Sequence, residues 1–215
     1  MGTLQIPPYG QHVLFLGTNG SGKSMLAEKM LQKVANFFAV DTQDGLDIVG
    51  TRIRSPDDWR LNFLTHYPRI HYVPDPEHLE RPIWDTLFRK LLNSSSKRKK
   101  HSRVMYIDEI YHIGYANSFP SWLSKSITTG RQKGLSYWIS TQRPRMIPPE
   151  LITEASLIFV FCLSKFDDKK FISSYAREEP KELMDALQKL RLDDHDFICI
   201  NNRTGEWNHF SPIKL

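Results

Sequence analysis

Eight consecutive residues, Gly17-Thr18-Asn19-Gly20-Ser21-Gly22-Lys23-Ser24, match the spacing GxxxxGK[ST] in full. Glycines at these positions let successive backbone N–H groups curl toward one concavity, which suits a chain of phosphates. Lys23 would reach the β and γ phosphates of a nucleoside triphosphate, and the Ser24 hydroxyl would ligate Mg²⁺. The nucleotide-binding set read from the pattern is Gly17, Thr18, Asn19, Gly20, Ser21, Gly22, Lys23, Ser24 and Met25. A second pair of acids, Asp108-Glu109, ends the apolar run Val104-Met105-Tyr106-Ile107. Asp108 would complete the metal site, and Glu109 would accept a proton from an attacking water. The two must be distinct groups, because a carboxylate bound to a metal is a poor base. Thr141-Gln142 follows another apolar run, and Gln142 could touch both a water and a γ-phosphate oxygen. Arg131, between Gly130 and Gly134, is either a solvated turn or a fork held out to an anion.

These groups need a scaffold that brings strand ends together. The run His12 to Leu16 precedes the glycine stretch, and Leu26, Ala27, Met30, Leu31 and Val34 recur after it at helical spacing. Phe37 to Asp41, Arg69 to Val73, Val104 to Ile107, Leu135 to Ser140 and Leu157 to Leu163 read as further buried strands. The polar stretch Thr42 to Asp58 reads as a connection. Helical patterns begin at Pro82, Phe119, Phe166 and Leu183, and Pro82 suits a first helical turn. Asp196 to Asn201 and Glu206 to Phe210 flank Arg203-Thr204-Gly205 as a hairpin. Short strands alternating with helices predict a mostly parallel sheet with helices on both faces and a C-terminal antiparallel hairpin. The 215 residues are read as one domain.

Composition narrows the setting. Forty per cent of residues are hydrophobic and 12% aromatic, so the chain can bury a core. No apolar run has the length of a membrane span, so membrane insertion is not expected and a cytoplasmic location is. Cys162 and Cys199 read as small buried hydrophobes in a reducing compartment. Among the histidines, His66, His71 and His78 form no metal pattern. Lys and Arg exceed Asp and Glu by 29 to 24. The dense basic run is Lys97-Arg98-Lys99-Lys100, which is either a contact to DNA phosphates or a solvated connection.

Taken together, the phosphate loop, the strand ending Asp108-Glu109, Gly130-Arg131 and Ser140-Thr141-Gln142-Arg143-Pro144 resemble the FtsK/HerA family of DNA-pumping P-loop ATPases. The resemblance runs from His12 to Leu163. It implies a RecA-like core in which the glutamine-bearing strand lies between the phosphate-loop strand and the acidic strand. It further implies ATP and Mg²⁺ as cofactors, double-stranded DNA as substrate and a homo-oligomeric, typically hexameric, ring. On this likeness Lys23, Glu109, Gln142 and Arg131 are the catalytic set, with Ser24 and Asp108 on the metal. Arg131 would serve the neighbouring subunit's ATP, and Arg143 and Arg145 are alternatives for that role. The first strand starts at His12, a layout that resembles the compact viral genome-packaging enzymes, with a capsid or portal partner and a place in host cytoplasm or virion. Two rival expectations stand beside it: an ATPase acting on a protein in phage assembly or conjugation, and a nucleotide-gated assembly module without turnover.

Overall fold

The computed structural model describes residues 7–58, 64, 66–95, 102–114, 119–176 and 179–212. Five apolar segments form the parallel centre of the sheet: β1 (His12–Leu16), β2 (Phe37–Asp41), β4 (Arg69–Tyr72), β5 (Arg103–Asp108) and β6 (Leu135–Thr141). A short strand β3 (Thr51–Ile53) and the later β7 (Ala155–Val160), β8 (Phe197–Asn201) and β9 (Trp207–Phe210) complete it. Among the described residues the nine strands run in the order β3-β4-β2-β5-β6-β1-β7-β8-β9. All pairs from β3 to β7 are parallel, while β7–β8 and β8–β9 are antiparallel. β6 thus lies between β1 and β5, as the family resemblance implies.

Strands covered on both faces read as near-continuous apolar runs, and after His12 β1 does: Val13 and Phe15 point to one core, Leu14 and Leu16 to the other. The first core is closed by α1 (Lys23–Gln32), whose Leu26, Ala27, Met30 and Leu31 form one stripe. The second is closed by α2 (Arg81–Ser94), α3 (Ser121–Gly130), α4 (Pro149–Glu154), α5 (Phe166–Ser173) and α6 (Pro180–Lys189). In α2, Trp84, Leu87, Phe88 and Leu91 are fully buried, and truncating Phe88 to Ala would remove about 3–5 kcal/mol. The helix stops where the Ser94 and Ser95 hydroxyls both donate to the Leu91 carbonyl, at 3.0 and 2.8 Å.

Three expectations need correction. The stretch 42–58 is not only a connection, because β3 pairs there with β4. Three residues with a single buried side chain, Ile53, give no readable alternation. The helix α4 opens on Pro149 directly after β6 and its turn, too short at six residues to show a periodic stripe. Cys162 and Cys199 pack against the two cores but are only partly buried; burial still pushes the Cys199 thiol up to about 12. Lys97, Arg98, Lys99 and Lys100 lie outside the described residues.

Candidate nucleotide site

The glycine loop hangs between two strand exits. The Gly17 amide donates to the Thr141 carbonyl at 3.2 Å, and the Thr18 amide donates to the Cys162 carbonyl at 2.8 Å. Gly17 is required by this approach: a Cβ there would stand 2.7 Å from both the Phe161 Cβ and the Ser21 hydroxyl. Gly22, immediately before α1, has φ 99°, a backbone state that other residues adopt only with strain. The loop therefore delivers the N-terminal amides and partial positive charge of α1 to the C-terminal end of the sheet.

Lys23 folds back over this loop, its ammonium donating to the Thr18 carbonyl at 2.9 Å. Burial holds its pKa below the ordinary lysine value, although Glu109 and Asp108 pull the other way. Ser24 donates to Asp108 Oδ1 at 3.2 Å, and the buried Tyr106 hydroxyl donates to the same oxygen at 2.9 Å. Burial raises the Asp108 pKa, and so does Asp41, which is its register partner on β2; Tyr106, Ser24 and Lys23 oppose the rise. Asp41 behaves differently. Burial would raise its pKa, but His71 at 3.0 Å and the amides of Leu46 and Gly45 outweigh it, leaving the carboxyl below its ordinary value.

Glu109 sits one residue beyond β5 with φ 52° and ψ 80°, a left-handed conformation that costs about 1–3 kcal/mol for a residue of this type. The strain turns its carboxylate away from Asp108 and onto β6. There the Thr141 hydroxyl donates to Oε1 and the Gln142 amide donates to Oε2, each at 3.1 Å. Lys23, Ser24, Asp108, Glu109 and Gln142 are therefore all gathered at one end of the sheet. The oxygen donors Ser24 and Asp108 suit a hard cation that takes its other ligands from phosphates and water, and among the described residues no larger cluster of metal-binding side chains occurs.

Arg131 is placed elsewhere. Its carbonyl lies under Gly10, and it precedes β6, whereas Gln142 follows β6. Seven strand residues separate them by about 23 Å, so Arg131 stands at the opposite end of β6 from Lys23, Asp108 and Glu109. Arg143 and Arg145 are exposed at the phosphate end, Arg145 paired with Asp167 at 3.2 Å. Sequence reasoning missed Tyr106 as a polar group of the site, although its position two residues before Asp108 puts both on one face of β5.

No protein-family model matches the chain, and no curated protein matches it. Among solved structures, the genome packaging NTPase B204 from Sulfolobus turreted icosahedral virus 2, in complex with sulfate, superposes with a TM-score of 0.74 at 20% identity, covering 97% of this chain and 98% of that one. The chain has the B204 fold. The same viral protein bound to AMPPCP gives a TM-score of 0.72, again at 20% identity, over 94% of this chain and 98% of that chain. More distant likeness extends to the type VII secretion ATPase EccC from Thermomonospora curvata, with a TM-score of 0.60 at 16% identity. That match covers 95% of this chain and 26% of EccC. The α/β architecture, parallel centre and antiparallel C-terminal hairpin are thus those of a RecA-like P-loop core over almost the whole of B204.

Proposed function

We propose that this chain is an FtsK/HerA-type ATPase that hydrolyses ATP and uses the cycle to move double-stranded DNA, in viral genome packaging. The observation that carries the reading is the grip of β6 on Glu109. Glu109, held by Thr141 and Gln142, lies within electrostatic reach of Lys23 at the strand end where Ser24 donates to Asp108, which supports its reading as the general base. B204, a genome packaging NTPase, supports the assignment of the work done.

In this mechanism the loop amides and Lys23 bind the β and γ phosphates, and Lys23 offsets charge that develops on the transferring phosphoryl group. Ser24 and Asp108 would hold Mg²⁺, which when bound neutralises phosphate charge. Glu109 orients a water and takes its proton, while Asp108 is committed elsewhere. Gln142, whose backbone amide holds Glu109, ties the state of the γ-phosphate to the position of the base. Because Arg131 is remote from its own loop, it would act on a neighbour's nucleotide, in a homo-oligomeric ring of the hexameric kind. Arg143 and Arg145 compete for that role from the phosphate end.

Duplex DNA would meet the ring through cations. Lys97, Arg98, Lys99 and Lys100 remain candidates, and Arg143, Arg145 and Lys165 add positive charge around Asp168. Such contacts are salt-sensitive and independent of base sequence. Among the described residues no helix is long and apolar enough to cross a membrane, and the enzyme would work in host cytoplasm or on the virion, docked on a capsid or portal. The deciding experiment measures phosphate release by size-fractionated protein with and without linear double-stranded DNA. Stimulation by DNA, confined to the oligomeric fraction, is expected. Stimulation by a protein partner with none by DNA of any length would replace this reading with a protein-directed motor, and no release at all would leave a nucleotide-gated assembly module.

A further inference from the structure

The hydroxyl of Tyr106 is not needed to fill its place. The side chain is 0% exposed in the core closed by α1, where Phe15 meets the ring edge to face at 6.2 Å. A phenylalanine would supply the same apolar area without taking a polar atom out of water, which is unfavourable unless a partner is found. The partner that Tyr106 finds is a carboxylate of the site: its hydroxyl donates to Asp108 Oδ1 at 2.9 Å. The two stand two residues apart on β5 and so share one face of the strand.

Ser24 donates to the same oxygen from α1, at 3.2 Å. The two donors differ in what else they must do. Ser24 is only partly buried and is itself read as a ligand of the cation, so its oxygen has a second duty when the site is filled. Tyr106 is sealed off from solvent, and nothing entering the site competes for its proton. Asp108 has reason to move if it is not anchored, because Asp41, its register partner on β2, is a like charge. A small divalent cation such as Mg²⁺ demands near-ideal ligand geometry. Carboxylates that ligate metals are accordingly held by outer hydrogen bonds, and losing such a partner typically weakens metal affinity about 10–100-fold.

We propose that Tyr106 is a positioning residue of the cation site: its buried hydroxyl fixes the Asp108 carboxylate and thereby sets how strongly Mg²⁺ tightens nucleotide binding. Tyr106 acts through Asp108 alone. The proposal rests on the reading of Ser24 and Asp108 as the Mg²⁺ ligands and adds to it the group that holds one of them in place.

The test is titration calorimetry on the full chain with ATP, once in excess Mg²⁺ and once in EDTA, the ratio of the two affinities being the contribution of the metal. Tyr106→Phe fills the same space and is expected to lower that ratio about tenfold, while ATP in EDTA binds within about twofold of wild type. In an Asp108→Asn background, which has already lost the ligating charge, the same substitution should change the ratio no further. Tyr137→Phe removes another buried hydroxyl, one that donates to Ser126, and should leave the ratio at its wild-type value. A Tyr106→Phe ratio equal to or above that of wild type would overturn the proposal. So would an equal loss with and without Mg²⁺, an equal fall in Tyr137→Phe, or the full tenfold fall repeated on top of Asp108→Asn. If the wild type binds no ATP, or binds it equally in both media, the reading of the site itself falls and takes this inference with it. A wild-type preference for Mg²⁺ that Tyr106→Phe keeps whole sinks the inference alone.

Discussion

At the N-terminal end of the parallel strands, His12 is 1% exposed and fully engaged: Nδ1 accepts the Tyr137 amide at 2.9 Å and Nε2 meets the Ile127 carbonyl at 3.0 Å. Since one nitrogen accepts, the other must carry the proton, and the ring is neutral. Around it the Gly10 amide donates to Ser136, Tyr137 donates to Ser126, Ser126 donates to the Leu123 carbonyl, and Arg103 donates to the Leu64 and Tyr67 carbonyls. At the C-terminal end of the same strands, Lys23, Asp41, Asp108 and Glu109 crowd together. Burial there displaces the Lys23 and Asp108 pKa values in the directions that disfavour charge. Glu109 and His195 hold positive φ, and the Ser21 hydroxyl and His195 Nδ1 have no hydrogen-bond partner. The first end spends its polar groups on closing the fold. The second keeps them strained or desolvated, with Asp41 and Asp108 repelling each other, as expected of the end where open α/β sheets bind ligands.

The sharpest way to break this contrast is at the base. Glu109→Gln keeps shape but cannot accept a proton, so phosphate release is expected to fall about 10²–10⁴-fold while calorimetric ATP affinity stays within severalfold. Turnover above a tenth of wild type would show that the strained acid has no part in chemistry, and the two ends would no longer differ in kind.

Acid should act on His12 and on Asp108, at opposite ends of the strands, with opposite sign. Burial, helped by the Arg131 charge and opposed by the Ile127 bond, lowers the His12 pKa to about 4. An unfolded histidine titrates near 6.5, so between those values the unfolded chain binds more protons. The His12 contribution is whole above about pH 6.5 and lost by pH 4, amounting to about 3 kcal/mol. Asp108, with a raised pKa, gains protons more readily when folded, which favours the fold as pH falls. Denaturant titrations at pH 7.5, 5.5 and 4.5 measure the sum, and His12→Gln isolates the first part: its stability should lose most of the slope over this window. An unaltered slope would mean that His12 is not a closed structural group.

A smaller effect is expected where β6 meets the base. Thr141→Val keeps the shape and removes the hydroxyl that donates to Glu109, so kcat should fall about tenfold with KM nearly unchanged, and Thr141→Ser should restore it. A rise in KM alone would reassign Thr141 to the nucleotide.

Much of this contrast was legible beforehand, for physical reasons. A strand buried on both faces must be written in apolar letters, so His12 to Leu16 and Val104 to Ile107 announce themselves, and a phosphate loop needs glycine where backbone meets backbone. β3 has no such constraint, since a three-residue edge strand is specified by its pairing with β4 alone. The Thr141–Glu109 contact joins residues 32 apart and exists only through strand register and the positive φ of Glu109. Arg131 shows the converse: eleven positions from Gln142 in sequence, it is the length of β6 away in space.

The faintest expected effect tests whether β6 carries signals between its ends. Tyr137 donates to Ser126 at 2.6 Å, and Ser126 donates onward to the Leu123 carbonyl at 2.9 Å. In Tyr137→Phe the serine keeps its acceptor and no buried donor is stranded, so the loss is one bond, about 1 kcal/mol in a denaturant titration. Tyr137 stands four residues before Thr141, about 13 Å along a strand hydrogen-bonded on both sides. At that separation, with no shared partner, the change should be independent of chemistry, leaving kcat within about twofold. A larger drop in kcat, with stability falling no further than this, would mean that the closed end sets the position of Thr141 and through it the base.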